Sequence, residues 1–505
     1  MDSIAYSVAF FSAVFFFLLL HKKSAFKRRL LPPGPSGWPI FGNMFQLGDM
    51  PHRTLYHLKD QYGPVIWLRI GLINTMAILT AKAATEFFKD HDLDFADRTI
   101  RNNMRVHDYS NGSLALAPYG SFWRVMRRLV TVEMISARSI NETAFIRRRC
   151  MDDLLAWIDK EARTEQNAKN AIHVSHFVFM MTFNVLGNLM LSRNLFDPDS
   201  DEGSEFYTAM NGLMESTGHR NIVDVFPWLA WLDPQGLRRK MERDMGKALE
   251  IASGFVKERM KEGYGDQVEG DKRKDFLNVL LEFRGNRNEE ILEISEKEIN
   301  IFILEIFMAG GETTSSTIEW ALTELLCNPQ VMGKAKAELA QVVGSKRNVE
   351  ESDIENLPYL QAVIKETMRL HPPIPLLVPR RAIQDTQFMG YDIPKDTQVF
   401  VNAWAIGRDP DVWEDPISYK PERFLGSKID YKGQHCELIP FGAGRRMCAG
   451  VPLAHRSLNF ILGSVLHRFD WELDPAVTPE TLDRDDVLGV TMRKRVPLLA
   501  VPKLI

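Results

Sequence analysis

The sequence predicts a mainly α-helical fold with a small β-rich subdomain, behind a single N-terminal membrane anchor. Helix-like stretches dominate the 505 residues, the longest over 295–328. Strand-like runs are short and few, at residues 65–70, 75–79, 397–401 and 498–501, with Gly71 placed to turn the first pair. An almost unbroken apolar run over residues 4–20 precedes them all. The chain therefore divides into an anchor at 1–21, a basic and proline-rich hinge at 22–43, and one globular domain at 44–505. A net charge of −4 leaves no broad electrostatic footprint for nucleic acid. Cys150, Cys327, Cys436 and Cys448 form no CxxC pair and no zinc spacing, and so few cysteines in such a length suit a reducing compartment.

The apolar run has seventeen residues, the lower end for a spanning helix. Asp2 precedes it, whereas Lys22, Lys23, Lys27, Arg28 and Arg29 follow. A cleaved secretory signal would carry its positive charge first and a small-residue cleavage site after. The positive-inside rule instead places the C-terminal flank and everything beyond it in the cytosol. Asn111-Gly112-Ser113 and Asn141-Glu142-Thr143 should then stay unglycosylated. Leu31-Pro32-Pro33-Gly34-Pro35-Ser36-Gly37-Trp38-Pro39 is stiff enough to orient the domain against a membrane. Gln267 to Lys274 reads as a charged, exposed connection.

Chemistry concentrates in three places. In Phe122-Trp123-Arg124-Val125-Met126-Arg127-Arg128, Trp123 and Arg127 stand four apart, so one helix face offers an indole N–H and a guanidinium to one acceptor. The helix over 295–328 opens with a Ser295/Glu298 capping box. Midway it carries Ala309-Gly310-Gly311-Glu312-Thr313-Thr314. Adjacent glycines inside a helix cost roughly 1 kcal/mol each against alanine. They serve either close helix packing or a local opening beside an acid and an alcohol. Near the C-terminus, Phe441-Gly442-Ala443-Gly444-Arg445-Arg446-Met447-Cys448-Ala449-Gly450 places one cysteine after an aromatic, two glycines and two arginines. Gly442 and Gly444 permit positive φ and close backbone approach. The dipole of the helix following Gly450, over 451–469, favours a thiolate. A lone cysteine is more often an ordinary buried one, but this setting reads as a cysteine shaped to hold a haem iron.

These motifs, in this order, resemble the cytochrome P-450 superfamily. Glu366 and Arg369 before His371-Pro372-Pro373, and Arg423 in Pro421-Glu422-Arg423-Phe424, complete the resemblance. It implies haem b (iron protoporphyrin IX) with Cys448 as axial ligand and Phe441 beside the sulfur. Trp123, Arg127, Arg380 and Arg446 would hold the propionates, and Glu312 and Thr313 would pass protons to dioxygen. The Glu366–Arg369–Arg423 network would support the cysteine loop. Electrons would come indirectly from NADPH through a membrane-bound cytochrome P-450 reductase. The basic cluster of Arg124, Arg127 and Arg128 reads either as an attraction for that donor or, at Arg124 and Arg128, as a solvated face. The implied location is the endoplasmic reticulum membrane, single-pass and facing the cytosol.

Phe95-Ala96-Asp97-Arg98-Thr99, Leu116-Ala117-Pro118-Tyr119-Gly120 and Asn402-Ala403-Trp404-Ala405-Ile406-Gly407-Arg408-Asp409-Pro410 resemble plant microsomal members, and within them the terpenoid-oxidising plant family seventy-six. The implied reaction inserts one oxygen atom from O2 into a small lipophilic substrate, a monoterpenoid or other terpenoid. The same chemistry on a phenolic or alkaloid is an alternative, as are a peroxide-rearranging haem enzyme and a haem carrier or sensor. Expected substrate contacts are the loop before Trp123, Phe307, Ala309, residues 374–378 and residues 488–490. Arg101, Arg105, His107 and Asp108 add polar character to that loop.

Overall fold

A computed structural model describes residues 29–163, 171–197, 204–262, 275–285 and 290–505. The apolar run 4–20 and the connection 267–274 lie outside the described residues. The longer helices are α1 Pro51–Tyr62, α2 Ala81–Asp90, α3 Ser121–Leu129, α4 Ala144–Ala162, α5 Val174–Leu191 and α6 Ser204–Gly218. They continue as α7 Leu237–Glu262, α8 Glu296–Cys327, α9 Pro329–Val342, α10 Pro358–Leu370 and α11 Val451–Arg468.

Helix α8 is the axis of the molecule. Its 32 residues span about 48 Å at the helical rise. The predicted capping box is present: Ser295 Oγ accepts from Glu298 N–H, and Glu298 accepts from Ser295 N–H at 2.8 Å. Apolar residues ring α8 on nearly every side, so it is buried among α5, α7, α10 and α11 rather than lying on the surface. Helix α5 is long and apolar enough to cross a membrane, yet 15 of its 18 residues are buried against this core. It is a core helix.

The β-rich part is a five-stranded sheet of β1 Val65–Ile70, β2 Ile73–Ile78, β3 Asp97–Arg98, β4 Arg380–Arg381 and β5 Gln398–Val401, ordered β1-β2-β5-β4-β3. Gly71 turns the β1–β2 hairpin at φ 58°, as expected. The second strand starts two residues earlier than the sequence suggests because Ile70 pairs directly with Ile73. Leu499–Leu504 pairs with Phe469–Leu473 and Ile172–His173. A final hairpin, β6 Asp486–Leu488 and β7 Met492–Lys494, reaches back toward α8.

The proline-rich segment is docked rather than free. Pro33 O accepts Trp67 N–H at 2.8 Å, and Gly42 bridges Ile70. A Cβ at Gly34 would lie 1.9 Å from Trp67 O, so glycine permits this approach.

Candidate active site

Cys448 sits where a tight loop meets the start of α11. Gly442 and Gly444 adopt φ 70° and 69°, the left-handed geometry expected of them. Cys448 N–H donates to Phe441 O at 3.0 Å, closing the loop. Burial pushes the thiol up, while the Gly450 backbone N–H and the Arg127 charge pull it toward thiolate. Its accessible surface faces a cavity of about 940 Å³, which Phe441 also lines. The Phe441 ring lies 5.3 Å from that of Tyr431.

Across the cavity runs α8. Ala309, Gly310, Thr313 and Thr314 line it, but Glu312 does not. Thr313 Oγ1 donates to Ala309 O at 2.8 Å. Glu312 lies behind, its Oε1 3.3 Å from Arg493 Nε on β7. Burial raises the Glu312 carboxyl, and Arg493 opposes that. The glycines serve close packing. A Cβ on Gly310 would come within 2.9 Å of Leu186, and one on Gly311 within 2.9 Å of Phe179, both on α5. Here α8 remains one helix from end to end, so the opening considered from sequence is not a break.

Apolar side chains form much of the remaining wall, Leu114, Ile374, Leu377, Val378 and Val490 among them. Phe307, expected at the substrate, points instead into the core, 4.6 Å from Phe183 and 5.2 Å from Phe206. Two residues along a helix turn a side chain by about 200°, which separates Phe307 from Ala309. Arg101 lines the cavity and donates to Thr217 O at 3.2 Å. His107 reaches Glu242 O on α7, and Asp108 pairs with Lys297 on α8.

Trp123, Arg127, Arg380 and Arg446 all line one side of this cavity, with Arg98 between them. Trp123 Nε1 donates to Leu114 O at 3.0 Å, and the Arg446 guanidinium lies 4.5 Å over its ring. Arg446 donates to Ala96 O and Ala117 O; Arg127 donates to Met447 O. Arg98 donates to Ala115 O and Val378 O. Asp92 accepts from Arg380 at 2.8 Å and from Arg445 at 3.0 Å. The cluster thus gathers more guanidinium than carboxylate. Burial pushes Arg98 well down, Arg446 to about 10, and Arg127 down as well. Uncompensated buried charge is costly, and a ligand bearing two carboxylates would relieve it. A porphyrin with two propionates fits that demand.

The network expected behind the loop is assembled. Arg369 donates twice to Glu366 at 2.7 Å, and Arg423 once at 3.0 Å. Both Glu366 and Arg369 side chains are fully buried.

Sequence reasoning passed over Asp92 and Glu305 and gave Arg98 no site role. Arg98 stands in a quoted phrase, but nothing local marks it as buried. Glu305 has a legible signal: one carboxylate inside Ile301-Phe302-Ile303-Leu304-Glu305-Ile306-Phe307.

A cysteine sulfur facing a largely apolar chamber, with a guanidinium cluster suited to two carboxylates on one side and an alcohol opposite, fits a haem-thiolate oxygenase. The cytochrome P-450 family model matches residues 32–499, and the chain belongs to that family. It is similar to cytochrome P-450 76A2 of Solanum melongena, 54% identical over 99% of both chains. Iridoid oxidase of Catharanthus roseus is 50% identical, covering 94% of this chain and 92% of that one. Geraniol 8-hydroxylase of Swertia mussotii is 42% identical over 94% of each. A zebrafish cytochrome P-450 structure with progesterone superposes with a TM-score of 0.75 at 26% identity, covering 90% of this chain and 99% of that one. The resemblance to plant family seventy-six therefore holds. The protein is a haem-dependent monooxygenase using O2, a lipophilic substrate and electrons from a redox partner.

Proposed function

We propose that the protein hydroxylates a monoterpenoid or related small terpenoid at the cytosolic face of the endoplasmic reticulum membrane, with electrons from a membrane-bound NADPH-dependent reductase. The observation that carries this is the apolar chamber above Cys448, walled by Leu114, Ala309, Ile374, Leu377, Val378 and Val490. The names of the iridoid and geraniol relatives support the same substrate class.

Haem, when bound, supplies the activation of dioxygen that thiolate ligation favours. This chain's residues do the rest. Cys448 would supply the thiolate, and Trp123, Arg98, Arg127, Arg380 and Arg446 would hold the carboxylates. Thr313 presents a hydroxyl to the chamber, and Glu312 lies behind it, its carboxyl raised by burial and drawn back by Arg493. The apolar walls exclude bulk water.

One exposed apolar patch supports the membrane reading. Phe41 lies 5.2 Å from Phe45 and 5.7 Å from Phe226, which neighbours Trp228. Leu72 N–H donates to Val225 O, joining the β1–β2 turn to the same surface. Trp231 beside it is 81% exposed. Met44, Leu47, Ile222 and Val225, adjoining the patch, line the cavity, so a lipophilic substrate has a short path from lipid.

The test is a microsomal incubation with reductase, NADPH and a terpenoid panel, read by mass spectrometry. Oxygenated terpenoids support the proposal. Untouched terpenoids with oxygenated phenolics or alkaloids would sink the substrate, and turnover without NADPH would favour peroxide rearrangement. Cys448→Ser should abolish both the thiolate-type carbon monoxide spectrum and product.

A further inference from the structure

Among the described residues, Glu305 is the one carboxylate that α8 contributes to the cavity wall, and it is only 7% exposed. Its Oε1 accepts from Ser113 Oγ at 2.6 Å and from Ala115 N–H at 2.7 Å; its Oε2 accepts from Leu114 N–H at 2.6 Å. Three short charge-assisted bonds converge on one stretch of the loop before α3.

The rest of that loop runs along one stripe of α8. Asp108 pairs with Lys297 at 3.1 Å. Gly112 lies so close that a Cβ would come within 2.8 Å of Ile301. Tyr109 OH points to Met308 Sδ at 3.8 Å. Positions 297, 301, 305 and 308 advance by four, four and three, which keeps them on one helix face. Glu305 is the polar anchor in the middle of this seam.

The opposite side of the same segment is held by cations and an indole. The Leu114 carbonyl accepts from Trp123, that of Ala115 from Arg98, and that of Ala117 from Arg446. The segment's N–H groups thus face an anion and its carbonyls face the guanidinium cluster. Its position is set from both sides, and Ser113, Leu114, Ala115 and Leu116 form chamber wall.

We propose that Glu305 is a positioning residue that clamps residues 113–116 as the substrate-orienting wall, and so sets which carbon of the substrate is oxidised. This rests on the cavity being the substrate chamber. The proton path proposed above uses Thr313 and Glu312, two turns further along α8, and the clamp gives Glu305 a separate, structural part.

The test uses the purified full-length haem-loaded protein, with reductase in the turnover arm. Glu305→Gln offers one acceptor oxygen where the carboxylate offers two, and turns an NH2 toward a donor. Hydrogen–deuterium exchange should then speed roughly tenfold or more at the Leu114 and Ala115 amides, with the α8 amides unchanged. The ratio of positional products from geraniol should shift at least threefold, with the carbon monoxide spectrum intact. Ser113→Ala removes one donor and should move both readouts the same way by less.

Unchanged exchange and product ratio in a spectrally intact Glu305→Gln protein would overturn the clamp. So would lost coupling at an unchanged ratio, which would make Glu305 a proton-relay residue. If Glu305→Gln fails to fold, Ser113→Ala decides, and unchanged exchange there is equally fatal. A wild-type protein that leaves geraniol and the rest of the terpenoid panel untouched removes the substrate reading, while the exchange arm still decides the clamp.

Discussion

Thr313 shows how a single hydroxyl divides its work. Its donation to Ala309 O holds the side chain against the helix while the residue lines the chamber. Thr313→Ala should keep the fold and the thiolate spectrum. It should release peroxide and lower product formed per NADPH roughly tenfold, below the ~10²-fold or more of full acid–base loss because water can substitute. Peroxide and product assays check this, and unchanged coupling would remove Thr313 from the proton path. Glu366 is the opposite kind of residue, remote from the chamber and fully buried. Glu366→Ala strands Arg369 and Arg423, and should cost about 3–5 kcal/mol, the range for breaking a buried pair. Thermal unfolding and retained haem content measure it.

Among elements, the cysteine loop depends on one glycine more than its length suggests. Gly444 has φ 69°, and a Cβ there would fall 2.3 Å from Asp92 Oδ1. That carboxylate joins Arg380 and Arg445, the latter through both backbone N–H and guanidinium. Gly444→Ala therefore combines backbone strain of about 1–3 kcal/mol with displacement of Asp92. The expected outcome is weakened haem retention with helix content preserved, read from haem-to-protein ratio and far-UV circular dichroism. Full haem loading would show that Asp92 can move without loosening the loop. In α8 the two glycines obey the same logic in a helix, giving up propensity for close contact with α5.

Two properties belong to the whole molecule. His52 and His455 are held neutral, burial lowering each from 6.5 to about 4. Between those values the unfolded chain binds more protons, so their contribution is complete above pH 6.5 and is lost as pH falls toward 4. Each is worth up to ~3 kcal/mol. Glu305, Glu312 and Glu319, raised by burial, act in the opposite sense from the ordinary carboxylate value upward and so reduce the net slope. His52 has both ring nitrogens buried without partners beside Trp404. His52→Leu should raise Tm at pH 5 relative to wild type and flatten its fall from pH 7.5. An unaltered slope would mean His52 does not carry it. The second property is the apolar patch. Replacing Trp228 and Trp231 by Ala in a chain lacking residues 2–28 should weaken co-sedimentation with phospholipid vesicles several-fold without changing the carbon monoxide spectrum, and equal binding would place the membrane contact elsewhere.

The sequence by itself determined the chemistry. Cys448 in its glycine–arginine loop, Thr313 in its glycine-flanked segment and the Glu366–Arg369 pair are each local patterns, and residues three or four apart on a helix declare their shared face. It determined α8 too, through a capping box and an unbroken apolar run. The geometry of neighbours was decided only by tertiary structure. Asp92, Arg98 and Glu305 matter through partners hundreds of residues or several elements away, which no local spacing encodes. Phe307 and Ala309 differ by two positions, yet one faces the core and the other the chamber, because helix rotation has a direction only once α5 and α6 are packed. The substrate wall is likewise tertiary. Residues 113–116 hold no secondary structure of their own, and their place comes from an anion on one side and cations on the other.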